Sequence, residues 1–158
     1  MEQSPKTYTY EDAKRLLEQY CIYRDRCHKE VEEKIWSLRM AKVAHDALLE
    51  HLITEKYLDE SRYAQSFVRG KFNQNHWGRK KIVNQMKFNQ ISDYNIRLGL
   101  KEIDEKEYRK TMIMLIEKKS ALLGKTKNFK NQNKVLQYLI QKGFEYDLSL
   151  ELVKEVLK

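Results

Sequence analysis

The chain has 158 residues, 34% charged and 41% hydrophobic, a balance that allows a folded core and argues against wholesale disorder. One proline and five glycines are too few for the frequent turns of an all-β chain, so the composition favours an all-α fold. Residues 1–60 carry 10 basic and 13 acidic side chains and residues 61–158 carry 21 and 10, so the net charge of +8 lies in the later part.

The beginning of the chain predicts an N-terminal arm over residues 1–9, which lack periodicity and contain the proline, Pro5. Order is expected to start near Thr9, whose hydroxyl can cap a helix while Asp12 completes a capping box. An 18-residue apolar run and a charged-then-apolar start are both missing from the sequence. We therefore expect a cytoplasmic protein with no membrane partner.

Apolar residues at helical spacing predict a first three-helix repeat over residues 10–57. Its first helix ends near Tyr23, its second begins near Cys27, and its third carries Leu48 and Leu52.

The two cysteines, Cys21 and Cys27, point in different directions on a helix and are interpreted as reduced thiols. Cys21 shares a helix face with His28, but a structural zinc site needs four ligands and no second pair is present. No metal or other cofactor is predicted.

A second repeat is predicted over residues 58–102. Asp59 suits a helix N-terminus, and a polar turn containing Gly70 and Gly78 is expected to separate the first two helices. The apolar positions of the three helices are Tyr63, Ala64, Phe67 and Val68, then Ile82 and Met86, then Ile96 and Leu100.

A third repeat is predicted over residues 103–158, because Ile103-Asp104-Glu105 echoes Leu58-Asp59-Glu60. Its second helix echoes the second helix of repeat two at a longer offset than its first helix echoes the first. The extra residues predict a basic loop insertion at residues 124–131. The last helix begins near Tyr146. Stacked three-helix repeats predict an elongated body that is able to curve.

Two tracts without acidic residues, 61–92 and 118–144, place cations at equivalent positions of repeats two and three. Such a surface repels itself, which indicates an anionic partner along one continuous stripe. The predicted DNA- or filament-binding residues are Arg62, Arg69, Lys71, Trp77, Arg79, Lys80, Lys81, Lys87, Lys118, Lys119, Lys125, Lys127, Lys130 and Lys134.

Trp77 and the following residues combine an aromatic plane, a glycine and three cations before a helix whose N-terminal amides are expected to be open to an anion. The alternative is that Trp77 anchors the turn in the core and the charges are solvated. Tyr63, Phe67 and Tyr108 are assigned to packing. Trp36 is either core or a contact between repeats, and the sequence leaves both open.

Several stretches resemble the central repeat of the RecX family: LDESRYAQSFVR at 58–69, WGRKKI at 77–82 and the helix start at 91–93. Upstream, RDRCHKEV at 24–31 resembles the family's arginine, serine, two residues and Glu-Leu, with Cys27 where serine is usual. The resemblance covers about 10–157. Asn73 to His76 depart from it, because family members often have a shorter approach to the glycine.

The resemblance implies a bacterial protein of DNA repair, recombination and the SOS response that binds the filament formed by the RecA recombinase. It implies blocked filament extension and reduced ATP hydrolysis and strand exchange, through contacts with the recombinase and with single- and double-stranded DNA backbone. No phosphate loop or catalytic motif is present in the sequence, so no enzyme activity is predicted. The basic stripe favours a monomer.

The alternative is a free-standing DNA-binding regulator, in which repeats two and three act as helix-turn-helix-like modules that read base edges. Such a protein would prefer one duplex sequence strongly, whereas a backbone binder would not.

Overall fold

The computed structural model describes residues 7–124 and 128–158, and this part of the chain forms nine α-helices and no strand. The all-α fold class is therefore confirmed. The helices are α1 (Tyr10–Tyr23), α2 (His28–Ser37), α3 (Lys42–Thr54), α4 (Glu60–Asn73), α5 (Arg79–Phe88), α6 (Asp93–Leu100), α7 (Glu105–Leu122), α8 (Phe129–Gln141) and α9 (Tyr146–Val156).

The helices pack mainly within successive triplets, which we name unit 1 (α1–α3), unit 2 (α4–α6) and unit 3 (α7–α9). This confirms the predicted tandem three-helix repeats. Within residues 7–124 and 128–158, none of the helices is both long enough and apolar enough to cross a bilayer.

Side-chain caps fix where several helices begin. The Thr9 hydroxyl accepts a hydrogen bond of 3.1 Å from the Asp12 amide, as predicted. Asp59 accepts from the Arg62 amide, and Ser92 from the Asn95 amide. The same local chemistry thus starts helices in units 1 and 2.

Gly70 lies inside α4, and the prediction that it belongs to the turn is wrong. A methyl group on Gly70 would meet no atom within 4 Å, so nothing in the surroundings requires a glycine there. Packing of Val68 and Phe72 carries the helix through this residue despite its cost of about 1 kcal/mol. The turn begins at Gln74 and contains His76, whose φ is 54°.

The expected basic insertion at residues 124–131 is only partly a loop. Phe129 opens α8, and Asn128 caps it by accepting a 2.8 Å hydrogen bond from the Asn131 amide. In addition, α7 has 18 residues where α4 has 14, so some of the extra length extends a helix. Residues 125–127 lie outside the described residues.

Units 2 and 3 share one hydrophobic core, whereas unit 1 has its own. The shared core contains the aromatic series Phe72, Tyr108 and Phe144, whose ring centroids are 5.7 Å and 5.2 Å apart in succession. Of the described residues of unit 1, Cys27 alone is among the buried members of this core, and Cys21 lies in the core of unit 1. Both cysteines are free thiols.

Trp36, left open by the sequence, is not in either core. Its side chain is 63% exposed and packs edge-on against the His45 ring at 4.5 Å between centroids. Over the two described ranges, no group of three or more His, Cys, Asp or Glu side chains is arranged to hold a metal ion.

Candidate nucleic-acid interface

The second helices of units 2 and 3 meet end to end. The Gly78 amide, at the start of α5, donates a 2.8 Å hydrogen bond to the Lys142 carbonyl at the end of α8. The Lys80 amide donates to the Gly143 carbonyl at 2.9 Å. The positive end of one helix dipole therefore meets the negative end of the other.

Two glycines allow this contact. A Cβ on Gly78 would lie 2.3 Å from main-chain atoms of Gly143 and Phe144. Gly143 has φ of 97°, and its Cβ would lie 2.3 Å from the Lys81 Cβ. The two backbones touch directly, so any side chain at either glycine would separate α5 from α8.

The first amides of α5 are thus already bonded, and the prediction that they receive an anion is wrong. Besides Gly78 and Lys80, the Arg79 amide donates a 3.0 Å hydrogen bond to the Tyr108 hydroxyl. The positive helix end is satisfied by unit 3 of the same chain. Anion binding on α5 must therefore come from side chains.

Arg79 is held in a network with unit 3. Its guanidinium lies over the Tyr108 ring at 3.9 Å, and it pairs with Glu105 and, at 3.2 Å, with Glu145. Tyr108 donates its hydroxyl hydrogen to Glu145 at 2.7 Å. Burial, together with the neighbouring Glu145 carboxylate, raises the pKa of Tyr108. The phenol therefore stays neutral and keeps donating.

The other arginines among the predicted binding residues are also paired. Arg62 binds Asp25 at 2.9 Å and donates to the Lys56 and Tyr57 carbonyls. Arg69 pairs with Glu102 at 3.3 Å. The tract 61–92 contains no acidic residue, but acids from outside it reach all three arginines.

The lysines differ from the arginines. Among the described residues none of the predicted lysines forms an ion pair. Those lysines are Lys71, Lys80, Lys81, Lys87, Lys118, Lys119, Lys130 and Lys134. Lys125 and Lys127 lie outside the described residues. Among the described members of the predicted set, the positive charge that is not in an ion pair is therefore carried by lysine.

Trp77 is partly buried against the shared core, and it orients two of these lysines. The Lys71 and Lys81 ammonium groups lie 4.8 Å and 4.5 Å from its ring centroid. On unit 3, the Lys119 ammonium lies 5.1 Å from the Tyr138 ring. Aromatic rings thus hold the cations at the surface without neutralising them.

Three adjoining grooves bring part of the predicted set together. The first, of about 520 Å³, lies between α5 and the end of α8 and is lined by Lys80, Lys81, Asn84, Gln85, Phe88, Ile140, Gln141 and Gly143. It shares Gln85 with a groove of about 460 Å³ that contains Lys71 and Trp77. It shares Gln141 with one of about 280 Å³ that contains Lys119 and Lys134.

We call the surface formed by these grooves the α5–α8 face. Its predicted members are Lys71, Trp77, Lys80, Lys81, Lys119 and Lys134. Its one acidic member, Glu30, is bonded to Arg24 at 2.6 Å. Lys87, Lys118 and Lys130 are exposed but line none of the three grooves.

Sequence reasoning missed Phe88, which lines the groove between α5 and the end of α8. Lys142 lines none of the three grooves but lies beside Lys81; it donates to the Asn75 carbonyl at 2.7 Å, and burial, with Lys81 adding to it, lowers the pKa of its ammonium group. The spacing of Lys81, Gln85 and Phe88 along one side of α5 was the available signal.

These features define a class of protein: a helical repeat protein of three-helix units with a lysine-rich face across two of them. A family model described as RecX, second three-helix domain, matches residues 59–100, which contain α4–α6. The regulatory protein RecX of Oceanobacillus iheyensis is 26% identical over 137 residues, which cover 87% of this chain and 50% of that protein. That of Clostridium botulinum (strain Eklund 17B / Type B) is 31% identical over 103 residues, covering 64% and 48%.

Two solved structures have a fold similar to that of this chain. The crystal structure of RecX from Lactobacillus salivarius matches with a TM-score of 0.82 at 26% identity, covering 93% of this chain and 96% of that one. Another, titled regulatory protein RecX, has a TM-score of 0.78 at 20% identity, covers 92% and 73%, and shows the same fold. The chain is therefore similar to RecX proteins in sequence and in fold. It spans about half the length of the curated relatives it matches.

Proposed function

We propose that this chain binds a RecA–DNA nucleoprotein filament through the α5–α8 face and reduces filament extension, ATP hydrolysis and strand exchange. The observation that supports this most is the set of lysines without ion pairs on adjoining grooves of two units. A cationic face of this kind is complementary to a DNA backbone.

The lysines predict that the affinity for DNA falls steeply as the salt concentration rises. Each phosphate that a lysine neutralises contributes roughly −0.7 to −0.9 to the slope of log affinity against log salt. The face also extends over two units, so contacts with neighbouring subunits of a filament would add through effective concentration. Weak individual contacts would then give firm binding to a filament and weaker binding to isolated components.

The regulator acts in this proposal as a cytoplasmic monomer without chemistry of its own. Its relatives carry the name of a regulatory protein. In this proposal, binding to an extending filament end blocks further extension. DNA and the recombinase are its partners, and no membrane or cofactor takes part.

The test is the DNA-dependent ATPase of the RecA recombinase with increasing amounts of this protein, starting well below stoichiometric dose. We expect a graded loss of ATP hydrolysis, which the triple variant K80E/K81E/K134E should abolish. A matched triple variant, K42E/K101E/K106E, makes the same charge change at exposed lysines away from the face and should remain active. An unchanged ATPase at every dose of the wild-type protein would remove the proposal.

The alternative, a regulator that reads base edges, is separated by competition between unrelated duplexes of equal length. A backbone binder should be displaced equally by all of them. Displacement that depends on sequence by orders of magnitude would favour the base-reading regulator.

A further inference from the structure

Phe88 is a large apolar side chain at the surface of the α5–α8 face. It is the last residue of α5, is 68% exposed and lines the groove that contains Lys80 and Lys81. Lys29 of unit 1 reaches it, with its ammonium 3.8 Å from the ring centroid and bonded to the Phe88 carbonyl at 3.3 Å. One side of the ring is therefore covered by a cation, and the rest opens to the groove.

The groove around Phe88 has a distinct composition. Besides the ring it offers two lysines, Lys80 and Lys81, and the side-chain amides of Asn84, Gln85 and Gln141, and it contains no acidic residue. Lysines alone would suit any anion. A ring among lysines and amides suits a ligand that combines a flat unsaturated surface with polar edges and nearby negative charge.

We propose that Phe88 stacks on an unpaired base of single-stranded nucleic acid, while Lys29, Lys80 and Lys81 contact the flanking phosphates. The inference rests on the proposed function, because it assigns the ligand of the same face. In a duplex the base faces are covered by their neighbours, so only an unpaired base can use the ring. Stacking is tolerant of sequence, since every base has a flat face.

An acidic protein surface would account for the lysines of the groove, and it is the competing occupant. Carboxylates would pair with the two lysines but would leave the exposed ring without a flat partner. A nucleotide offers a base for the ring, polar base edges for the three amides and phosphates for the lysines. The nucleic acid is therefore the better fit.

The experiment compares three probes of equal length: a single-stranded oligonucleotide, an abasic strand with the same phosphates, and a duplex. Replacing Phe88 by alanine should weaken binding of the single strand by about 5- to 150-fold, the range expected for one stacked base. Binding of the abasic strand and of the duplex should not change. The variant F88L, which keeps an apolar side chain without a ring, should behave like F88A.

Tyr94 provides the matched control. It is an aromatic residue on α6 with 69% exposure, and it lines none of the three grooves of the α5–α8 face. Y94A should bind all three probes like the wild type. Both replacements are at exposed positions, so circular dichroism should be unchanged in each.

Two outcomes would overturn the inference: no effect of F88A on the single strand, or an equal loss for all three probes. Loss of recombinase binding with single-strand binding retained would assign the groove to a protein partner instead. These outcomes are separate from failure of the proposed function, because K80E/K81E/K134E tests the charge of the face and F88A tests only the ring.

Discussion

The two junctions between neighbouring units are built differently. Units 2 and 3 are joined by main-chain hydrogen bonds between α5 and α8 and by a shared core that includes Tyr108 and Phe144. Unit 1 places Cys27 in that core and is also joined to unit 2 by polar side chains, such as Arg62 with Asp25 and Lys29 with the Phe88 carbonyl. A continuous core makes units 2 and 3 one cooperative body, while unit 1 is attached by contacts that salt and acid weaken.

The proposed binding face lies on one of these junctions. The α5–α8 face crosses the junction of units 2 and 3, so the helices that carry its lysines keep fixed relative positions. Lys29 approaches the same face from across the weaker junction. The following changes test the contrast, from the largest expected effect to the smallest.

Gly78→Ala should be the most damaging change at the junction of units 2 and 3. Its Cβ would clash with the Gly143 and Phe144 main chain, breaking the hydrogen bonds to Lys142 and Gly143. We expect the free energy of unfolding to fall by about 3 kcal/mol or more, measured by chemical denaturation.

Gly70→Ala is the internal control, because a methyl group there enters open space within α4. It should raise the free energy of unfolding by about 0.5–1 kcal/mol. Equal effects of the two glycine replacements would contradict the end-to-end contact.

Tyr108→Phe should weaken the same junction through hydrogen bonding alone. It leaves the Arg79 amide without its acceptor and removes the donor to Glu145. A loss of about 1–3 kcal/mol in unfolding free energy is expected for groups left unsatisfied in a partly buried place. Tyr146→Phe, at a half-exposed tyrosine, should be nearly neutral.

The Arg62–Asp25 pair should contribute less to the junction of units 1 and 2. Both side chains are partly exposed, and a double-mutant cycle with R62M and D25N should give a coupling of about 1 kcal/mol or less. The coupling should shrink in high salt, whereas the effect of Tyr108→Phe should not. A coupling that resists salt would mean that the two junctions are alike.

Part of the pH dependence of unit 1 is expected to come from Glu30, which is bonded to Arg24, Arg26 and the Cys27 amide. Burial alone would raise the pKa of this carboxyl, but the Cys27 amide and Arg24 outweigh it, so its pKa lies below the usual value of 4.5. A lowered folded-state pKa means that Glu30 stabilises the fold above its usual pKa, and that this is lost as pH falls through the folded value. Unfolding free energies of wild type and E30Q should therefore converge as the pH falls below 4.5 and through the folded-state pKa of Glu30.

Hydrogen exchange gives the location of this acid effect. On lowering the pH, α1 and α2 should lose protection before α5 and α8 do. Simultaneous loss in all four helices would show that unit 1 is not the weaker part.

Local features were predictable from the sequence because a few neighbouring residues determine them. The Thr9 cap, the end of α1 at Tyr23 and the start of α9 at Tyr146 depend on side chains within one or two turns. Gly70 was misplaced because its helix is maintained by packing of residues on either side, which outweighs the low helix propensity of glycine.

The candidate site was predicted less well, for a physical reason. Whether a cation is free depends on partners distant along the chain: Glu145 lies 66 residues from Arg79, and Asp25 lies 37 from Arg62. Six of the predicted residues nevertheless lie on the α5–α8 face, because equivalent helices of successive repeats carry them. Phe88 was overlooked although it lies off the apolar positions Ile82 and Met86 of α5, on the side that carries Lys81 and Gln85.

The contact between Gly78 and Gly143 also sets the distance between α5 and α8. With no side chain between the two backbones, α5 and the end of α8 are held at one separation. Under the proposed function, the lysines on these helices would therefore suit negative charges that repeat at a regular distance. A regularly repeating polymer offers that pattern better than an irregular surface does.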